Sequence, residues 1–206
     1  MGFRSSMAAT LLALATSLAS AHAQTAAELA DQLEAEMGET AQLRDLLTHP
    51  DPARARGAMR LMLASGNPDL MRMALGAGLS SGDPVARRMA LEGYFSSGPV
   101  LQMTFDGSGL EDTGGLGKDM NALSGTMSSA GTGYTATKLG EYDEAQSCWL
   151  WAGSRKCGVR LSDAGVSLAL FDKWAPMALE DDATLRGEHS LYYSGVPVPV
   201  SVAVAP

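Results

Sequence analysis

Apolar and polar positions repeat with a period of 16 residues in the first half of the chain. Three consecutive blocks, 51–66, 67–82 and 83–98, align without gaps, and each begins with Asp or Asn followed by Pro and ends with Ser-Gly. Asp or Asn caps unpaired N–H groups at a helix start, Pro suits the first helical position, and Gly permits the left-handed residue that ends a helix. The pattern therefore predicts one helix per block, with an apolar stripe along each helix. Equivalent positions hold the columns Ala58/Ala74/Ala90, Met59/Leu75/Leu91, Leu63/Leu79/Phe95 and Arg56/Arg72/Arg88.

The third block resembles a HEAT-like helical repeat, a family in which paired helices stack into a solenoid. Its sequence over 83–90, Asp-Pro-Val-Ala-Arg-Arg-Met-Ala, is similar to the Asp-Pro…Arg…Ala pattern of that family. The first two blocks match less closely, because Ala55 and Met71 stand where the family has an arginine. The resemblance covers residues 40–98 and implies a scaffold for protein interactions. The alternative is that these helices only pack against the second half, since a stable solenoid needs at least about three stacked units.

After Gly98 the helical spacing gives way to alternation, which is typical of β-strands. Leu101, Met103 and Phe105 occupy every second position of the first such segment. Many short strands at short spacing favour a β-rich sandwich or a partly closed barrel. The chain as a whole is thus predicted to be α+β, with a short helical repeat stack over 24–98 and a β-rich domain over 99–206. Further strands are predicted at 123–128, 134–139, 146–151, 157–162, 166–171, 184–189, 191–193 and 196–204.

The last predicted strand carries valine at every second position from 196 to 204, which indicates one face in the core. Pro197 and Pro199 belong to the other alternation class. A proline cannot donate to a β-ladder, so one edge of this strand lacks donors at its start. We therefore expect the strand to lie at the rim of the sheet, where pairing with the sheet of a partner is an alternative role.

Cys148 and Cys157 are predicted to form a disulfide across a β-hairpin that turns near residues 152–153. An isolated pair of nearby cysteines in an exported protein most simply makes such a bond, and two buried thiols are the alternative. Strand alternation then places both cysteines on a core-like face with Leu150, Val159 and Leu161.

The opposite face of the hairpin is the candidate binding site. Trp149, Trp151, Lys156 and Arg160 are expected to share it, and Trp149 opposite Lys156 has the arrangement of a cation–π pair. Exposed aromatic side chains beside cations are typical of contact surfaces. We interpret these four residues as a recognition patch for a glycan, an acidic polymer or a protein. The alternative is that another strand or the helical stack covers both indoles.

The amino terminus has the organisation of a secretory signal peptide. Arg4 precedes an uncharged, largely apolar run over 7–18, and Ala21 and Ala23 provide the small residues of a cleavage site after Ala23. The run is shorter than the ~20 residues that a membrane-spanning helix needs. Removing residues 1–23 leaves 14 Lys and Arg against 23 Asp and Glu, a formal charge of −9. This acidic balance argues against nucleic-acid binding, and we expect a periplasmic or secreted protein without a transmembrane segment.

Motifs with a known chemistry are scarce in the sequence. The Gly-rich segment 106–121 is predicted to be a long loop; it lacks the spacing of a phosphate-binding P-loop, and its acids lack EF-hand spacing, which leaves only weak calcium binding as an alternative. His49 and His189 have no second ligand at metal spacing. We therefore assign no catalytic residue, no metal and no cofactor.

The function expected from the sequence is binding. The favoured interpretation is a non-enzymatic binding or adaptor protein of the bacterial periplasm or envelope, whose partner is another envelope protein or a glycan. A glycan- or small-molecule-binding β module is the first alternative, and an envelope hydrolase is the second.

Overall fold

The computed structural model describes residues 25–204, so the signal peptide predicted for 1–23 lies outside the described residues. The chain divides after Ala41 into two units. Helix α1 (Ala26–Leu47) runs through the first unit, and its residues 42–47 belong to the second. Thr25 and Glu28 form a reciprocal cap at its start: the Thr25 N–H donates to Glu28 Oε2 (2.8 Å) and the Glu28 N–H to Thr25 Oγ1 (3.3 Å).

The three 16-residue blocks form one helix each, as their pattern predicts: α2 (Pro52–Ala64), α3 (Pro68–Leu79) and α4 (Pro84–Ser96). Asp51, Asn67 and Asp83 cap these helices, each accepting a hydrogen bond from an N–H of the first turn. A proline occupies the first helical position of each helix. An N–H at that position would have no partner within the helix, so its absence costs no hydrogen bond. The segments that start and end the helices are thus set by residues close in sequence.

The repeat helices pack through their apolar columns. A small core joins residues of α1, α2, α3 and α4. Gly78 lets α3 approach α4 closely, since a Cβ built on it would lie 2.6 Å from the Cβ of Ala90. Arg56 of α2 also binds the capping carboxylate of α4, with its Nη1 2.8 Å from Asp83 Oδ2. The buried side chains of this core are Leu47, Met59, Met62, Ala74 and Ala86.

Eight antiparallel strands form a closed barrel, and this confirms the predicted α+β class. Strands β3 to β9 follow one another around the ring, and β1 closes it by pairing with both β9 and β3. The short strand β2 adds to the start of β3. The elements are β1 (Val100–Asp106), α5 (Gly114–Ala122), β2 (Thr126–Met127), β3 (Thr132–Asp143), β4 (Cys148–Trp151), β5 (Cys157–Ser162), β6 (Gly165–Leu170), β7 (Lys173–Leu179), β8 (Thr184–Ser190) and β9 (Pro197–Ala203).

Helices α4 and α5 pack at opposite ends of this barrel, because α4 precedes β1 and α5 follows it. Phe95 of α4 and Leu116 of α5 are both fully buried in one core with alternate residues of the strands. That core continues across Gly98, where helices give way to strands. The division into a repeat region and a β-rich domain at this residue stays a prediction.

Four segments differ from their predicted secondary structure. Residues 106–121 are not a continuous loop, because α5 begins at Gly114 and buries Leu116 and Met120. Residues 191–193 form a turn instead of a strand, and of the strand predicted over 123–128 only β2 is present. Strand β7 has no counterpart among the predictions; it contains Pro176, and a proline argues against a strand assignment from sequence.

The expectation that the last strand lies at the rim of the sheet is wrong. β9 pairs with β8 along its whole length and with β1 at residues 200–202. Pro197 and Pro199 lie in the part that pairs with β8 alone, so the β1 ladder does not need their missing donors. The predicted core face is confirmed for Val198, Val200, Val202 and Val204, which are all buried. It is wrong for Val196, which precedes β9 and is 45% exposed.

Within residues 25–204, none of the helices combines the length and the apolar character that crossing a membrane requires.

Candidate functional site

The disulfide predicted for the hairpin is present. Cys148 of β4 and Cys157 of β5 are bonded, with Cα atoms 5.7 Å apart. Both the bond and its place across two paired strands confirm the sequence-based assignment.

A β-bulge changes which hairpin residues face the core. Trp149 pairs with Val159 and Leu150 with Cys157, so Gly158 has no partner opposite and the alternation shifts by one residue. Trp149 therefore turns inward with Val159 and is only 5% exposed. Its ring packs against Phe95 of α4 at 5.3 Å between centroids. The prediction that Trp149 is exposed, and pairs with Lys156, is wrong.

Trp151 and Lys156 lie together beside a small cavity. The half-buried Trp151 donates its indole N–H to the carbonyl of Ala169 in β6 (3.1 Å), and its ring covers Gly158. Lys156 forms an ion pair with Asp172, at 2.9 Å between Nζ and Oδ2. Both side chains line a cavity of about 200 Å³.

Arg160 belongs to a different surface. Its guanidinium stacks over the ring of Trp174 in β7, 4.5 Å from the centroid, and donates to the carbonyl of Gln146 (3.2 Å). The structure therefore joins Trp151 with Lys156, gives Arg160 another aromatic partner, and buries Trp149. The four residues do not form one continuous patch.

A cavity at the α4 end of the barrel was not foreseen from the sequence. This mouth groove has a volume of about 850 Å³ and is formed by residues within 84–91, 161–166 and 176–179 and by Arg186. Leu91, Val166 and Met177, which belong to the barrel core, make its floor. The walls come from α4, from the turn between β5 and β6, and from β7. The groove is thus an apolar hollow where a repeat helix meets the open end of the barrel.

Two neighbouring arginines of α4 span the mouth groove. Arg87 donates to the carbonyl of Leu179 (2.9 Å) at the end of β7. Arg88 pairs with Glu92 on its own helix (3.0 Å) and with Asp163 in the β5–β6 turn (2.9 Å). One contact reaches the end of β7 and the other reaches the β5–β6 turn. Together they hold α4 across the open end of the barrel.

Arg186 of β8 completes the basic lining. It binds both oxygens of Asp182, at 3.1 and 2.8 Å. This hydrogen bonding lowers the pKa of Asp182 to about 2, so the carboxylate stays ionised in ordinary buffers.

Two observations concern the metal-binding and titratable side chains within residues 25–204. No three His, Cys, Asp or Glu side chains there lie close enough to hold a metal ion. His189 is fully buried, its Nε2–H donates to the carbonyl of Lys173 (3.1 Å), and its Nδ1 has no hydrogen-bond partner. Burial lowers the pKa of His189. His189 is not among the residues that line the cavity of about 850 Å³.

One signal in the sequence points to the mouth groove. Arg87 occupies the column in which the other two blocks carry Ala55 and Met71, so the third block alone has two adjacent arginines. Arg87 lines the groove, whereas Ala55 and Met71 do not. The resemblance to HEAT-like repeats rests on the same blocks and stays a prediction. No protein family, curated protein or solved structure matches the chain.

Proposed function

We propose that the protein is an exported, non-enzymatic binding protein of the bacterial periplasm or envelope, and that it binds an apolar ligand in the mouth groove. The observation that carries this proposal is the groove itself. Its volume of about 850 Å³ lies within the range of about 300–1,000 Å³ that is common for ligand clefts. Its floor is made of core side chains, which an apolar ligand would cover.

Two further observations support the proposal. The Cys148–Cys157 disulfide is typical of proteins that work in an oxidising compartment, which agrees with the predicted signal peptide. The carboxylates near the groove do not form a buried acid pair: the side chains of Asp163 and Asp181 are fully exposed. Such groups suit recognition more than proton transfer.

The proposal can be tested with a neutral apolar dye, N-phenyl-1-naphthylamine, whose fluorescence rises in an apolar site. We expect the protein to bind it, and Ala178→Trp to weaken binding by about tenfold or more, because Ala178 is exposed on β7 and lines the groove. Ala136→Trp is the matched control, since Ala136 is exposed on β3 and does not line the groove. Absence of dye binding by the unaltered protein would refute the proposal. Equal binding by a folded Ala178→Trp variant would place the site elsewhere.

A second candidate, a glycan-binding β module, is favoured by an anchored aromatic loop. Tyr192 and Tyr193 are 65% and 51% exposed, and their rings meet edge to face at 4.8 Å. The carboxylate of Asp119 accepts hydrogen bonds from the N–H groups of residues 192, 193 and 194 (3.0, 2.8 and 2.8 Å). Rigid exposed aromatic rings suit stacking on sugar faces.

The two candidates are separated by a sedimentation assay with insoluble peptidoglycan. A glycan-binding protein would co-sediment, and Tyr192→Ala would release it without changing dye binding at the mouth groove. Tyr134→Ala is the matched control, since Tyr134 is exposed to a similar degree (47%) on β3. If the protein stays in the supernatant, the aromatic loop is not a glycan site for this polymer.

A further inference from the structure

The charges of the mouth groove differ from those of the whole protein. Three guanidinium groups line it, from Arg87, Arg88 and Arg186, together with one carboxylate, that of Asp163. The full chain has a formal net charge of −8. Four carboxylates, those of Glu92, Asp163, Asp181 and Asp182, lie within 4.0 Å of these arginines, so an anionic ligand needs a guanidinium whose donors these acids leave available.

The three arginines are not equally occupied. Arg186 is bound by both oxygens of Asp182, and Arg88 is shared between Glu92 and Asp163. Arg87 instead binds a carbonyl, that of Leu179, and its nearest carboxylate, that of Asp181, lies 4.0 Å away. A guanidinium has five N–H donors, so Arg87 keeps donors for an anion.

The surroundings of Arg87 strengthen such a contact. The side chain of Arg87 is 28% exposed. An anion that binds it therefore keeps part of its own hydration shell and loses only the rest. Val85, Leu91 and Leu179 lie in the lining beside it. The carboxylates that face these arginines are far more exposed, and exposed ion pairs are weak enough to rearrange around a ligand.

Resting on the function proposed above, we infer that the ligand of the mouth groove is a single-chain aliphatic carboxylate, a fatty acid, with its carboxylate on Arg87 and its alkyl chain over the floor of the groove. A planar carboxylate matches the two parallel donors of a guanidinium, whereas an alcohol of the same chain length offers one oxygen and no charge. The lining residues include no aromatic side chain, which fits a flexible alkyl chain better than a sugar ring.

The experiment compares dodecanoate with 1-dodecanol, which share the alkyl chain and differ in the head group. Each displaces N-phenyl-1-naphthylamine from the purified protein, below the concentration at which dodecanoate forms micelles. We expect dodecanoate to displace the dye at a concentration about tenfold or more lower than dodecanol, since hydrogen bonds to charged groups are the stronger ones. Arg87→Gln should remove this preference, so that dodecanoate and dodecanol displace the dye at similar concentrations, and Arg87→Lys should restore part of it.

Arg72→Gln is the matched control, because Arg72 has an exposed ion pair with Asp69 on α3 and does not line the groove. A second measurement needs no variant: the preference for dodecanoate should fade as pH falls and the free acid forms, while dodecanol binding stays constant. Equal affinity for the two compounds, or a preference that survives Arg87→Gln in the folded protein, would overturn the fatty-acid assignment. Dye and dodecanol binding would then still support the apolar site, whereas failure of all three probes to bind would refute the proposed function as well.

Discussion

The two ends of the barrel are closed in different ways. At the α5 end, Asp119 is fully buried, and its carboxylate accepts three backbone N–H bonds from the loop after β8. At the α4 end, Arg87 and Arg88 reach hairpin turns whose acids are fully exposed, and a groove of about 850 Å³ remains between helix and strands. The polar contacts at the α5 end are buried charge-assisted hydrogen bonds. Those at the α4 end are a hydrogen bond from Arg87 to the carbonyl of Leu179 and exposed ion pairs of Arg88, beside the buried packing of Phe95.

This difference suggests that one end of the barrel contributes mainly to stability and the other mainly to ligand binding. A buried carboxylate that accepts three backbone N–H bonds rigidifies the segment it holds, because losing them would leave the buried carboxylate without partners. Exposed ion pairs contribute little and exchange with solvent, so the surface between them stays accessible. We therefore expect mutations at the α5 end to act mainly on the free energy of unfolding, and mutations at the α4 end to act mainly on ligand affinity.

Asp119→Ala should have the largest effect. The change removes the acceptor of three backbone N–H groups, and we expect the free energy of unfolding to fall by about 3–5 kcal/mol. Urea denaturation followed by circular dichroism measures it. Asp112→Ala is the control, because Asp112 is exposed and accepts a single N–H bond, from Gly114 (2.8 Å), so its loss should be much smaller. Equal losses in the two variants would mean that burial of the carboxylate is unimportant.

Two glycines of α5 test how tightly this end is packed. A Cβ on Gly115 would lie 2.7 Å from the carbonyl oxygen of Tyr193, whereas a Cβ on Gly117 would meet nothing within 4 Å. Gly115→Ala should therefore destabilise by about 1–3 kcal/mol through overpacking. Gly117→Ala should stabilise by about 0.5–1 kcal/mol, because alanine is the better helix former. Denaturation midpoints of the two variants must move in opposite directions; a shared direction would contradict the close approach of α5 to the loop.

The helices of the first half were predictable because their signals are local. Asp51, Asn67 and Asp83 each cap a helix through neighbours in sequence, and a proline follows each of them. The apolar columns occur in the same three blocks and so give the same prediction three times. The disulfide was predictable for the same reason, since nine positions separate its cysteines. The alternation of β9 likewise identified its core face.

The features that the sequence did not reveal depend on distant contacts. Helix α5 has three glycines in nine residues and forms because Leu116 and Met120 fill the end of the barrel. The inward turn of Trp149 follows from a bulge at Gly158, which no periodicity shows. The mouth groove joins α4 to strands about 75–100 positions later in the chain. Among its lining residues, only Arg87 could be noticed in the sequence, because it differs from Ala55 and Met71 in the same repeat column.

His189 makes the α5 end sensitive to pH. Burial lowers the pKa of this imidazole below its ordinary value of 6.5, so the unfolded chain takes up a proton before the folded one does. The stability that His189 contributes is therefore present above about pH 6.5 and is lost as pH falls toward the folded pKa, with a slope of at most about 1.4 kcal/mol per pH unit. His189→Gln keeps a donor for the Lys173 carbonyl and does not titrate. Denaturation of both proteins between pH 7.5 and about pH 5 measures the difference, and parallel curves would show that this histidine does not drive the loss.

Arg88→Gln should have the smallest effect on stability. Its partners Glu92 and Asp163 are 47% and 106% exposed, so the free energy of unfolding should change by less than about 1 kcal/mol. Urea denaturation at low salt and at about 1 M NaCl measures this, because salt screens exposed charges and should erase what difference remains. A loss as large as that of Asp119→Ala, unchanged by salt, would show that the α4 end is fixed by buried electrostatics. The mouth groove would then be a rigid part of the fold, and the contrast between the two ends would not hold.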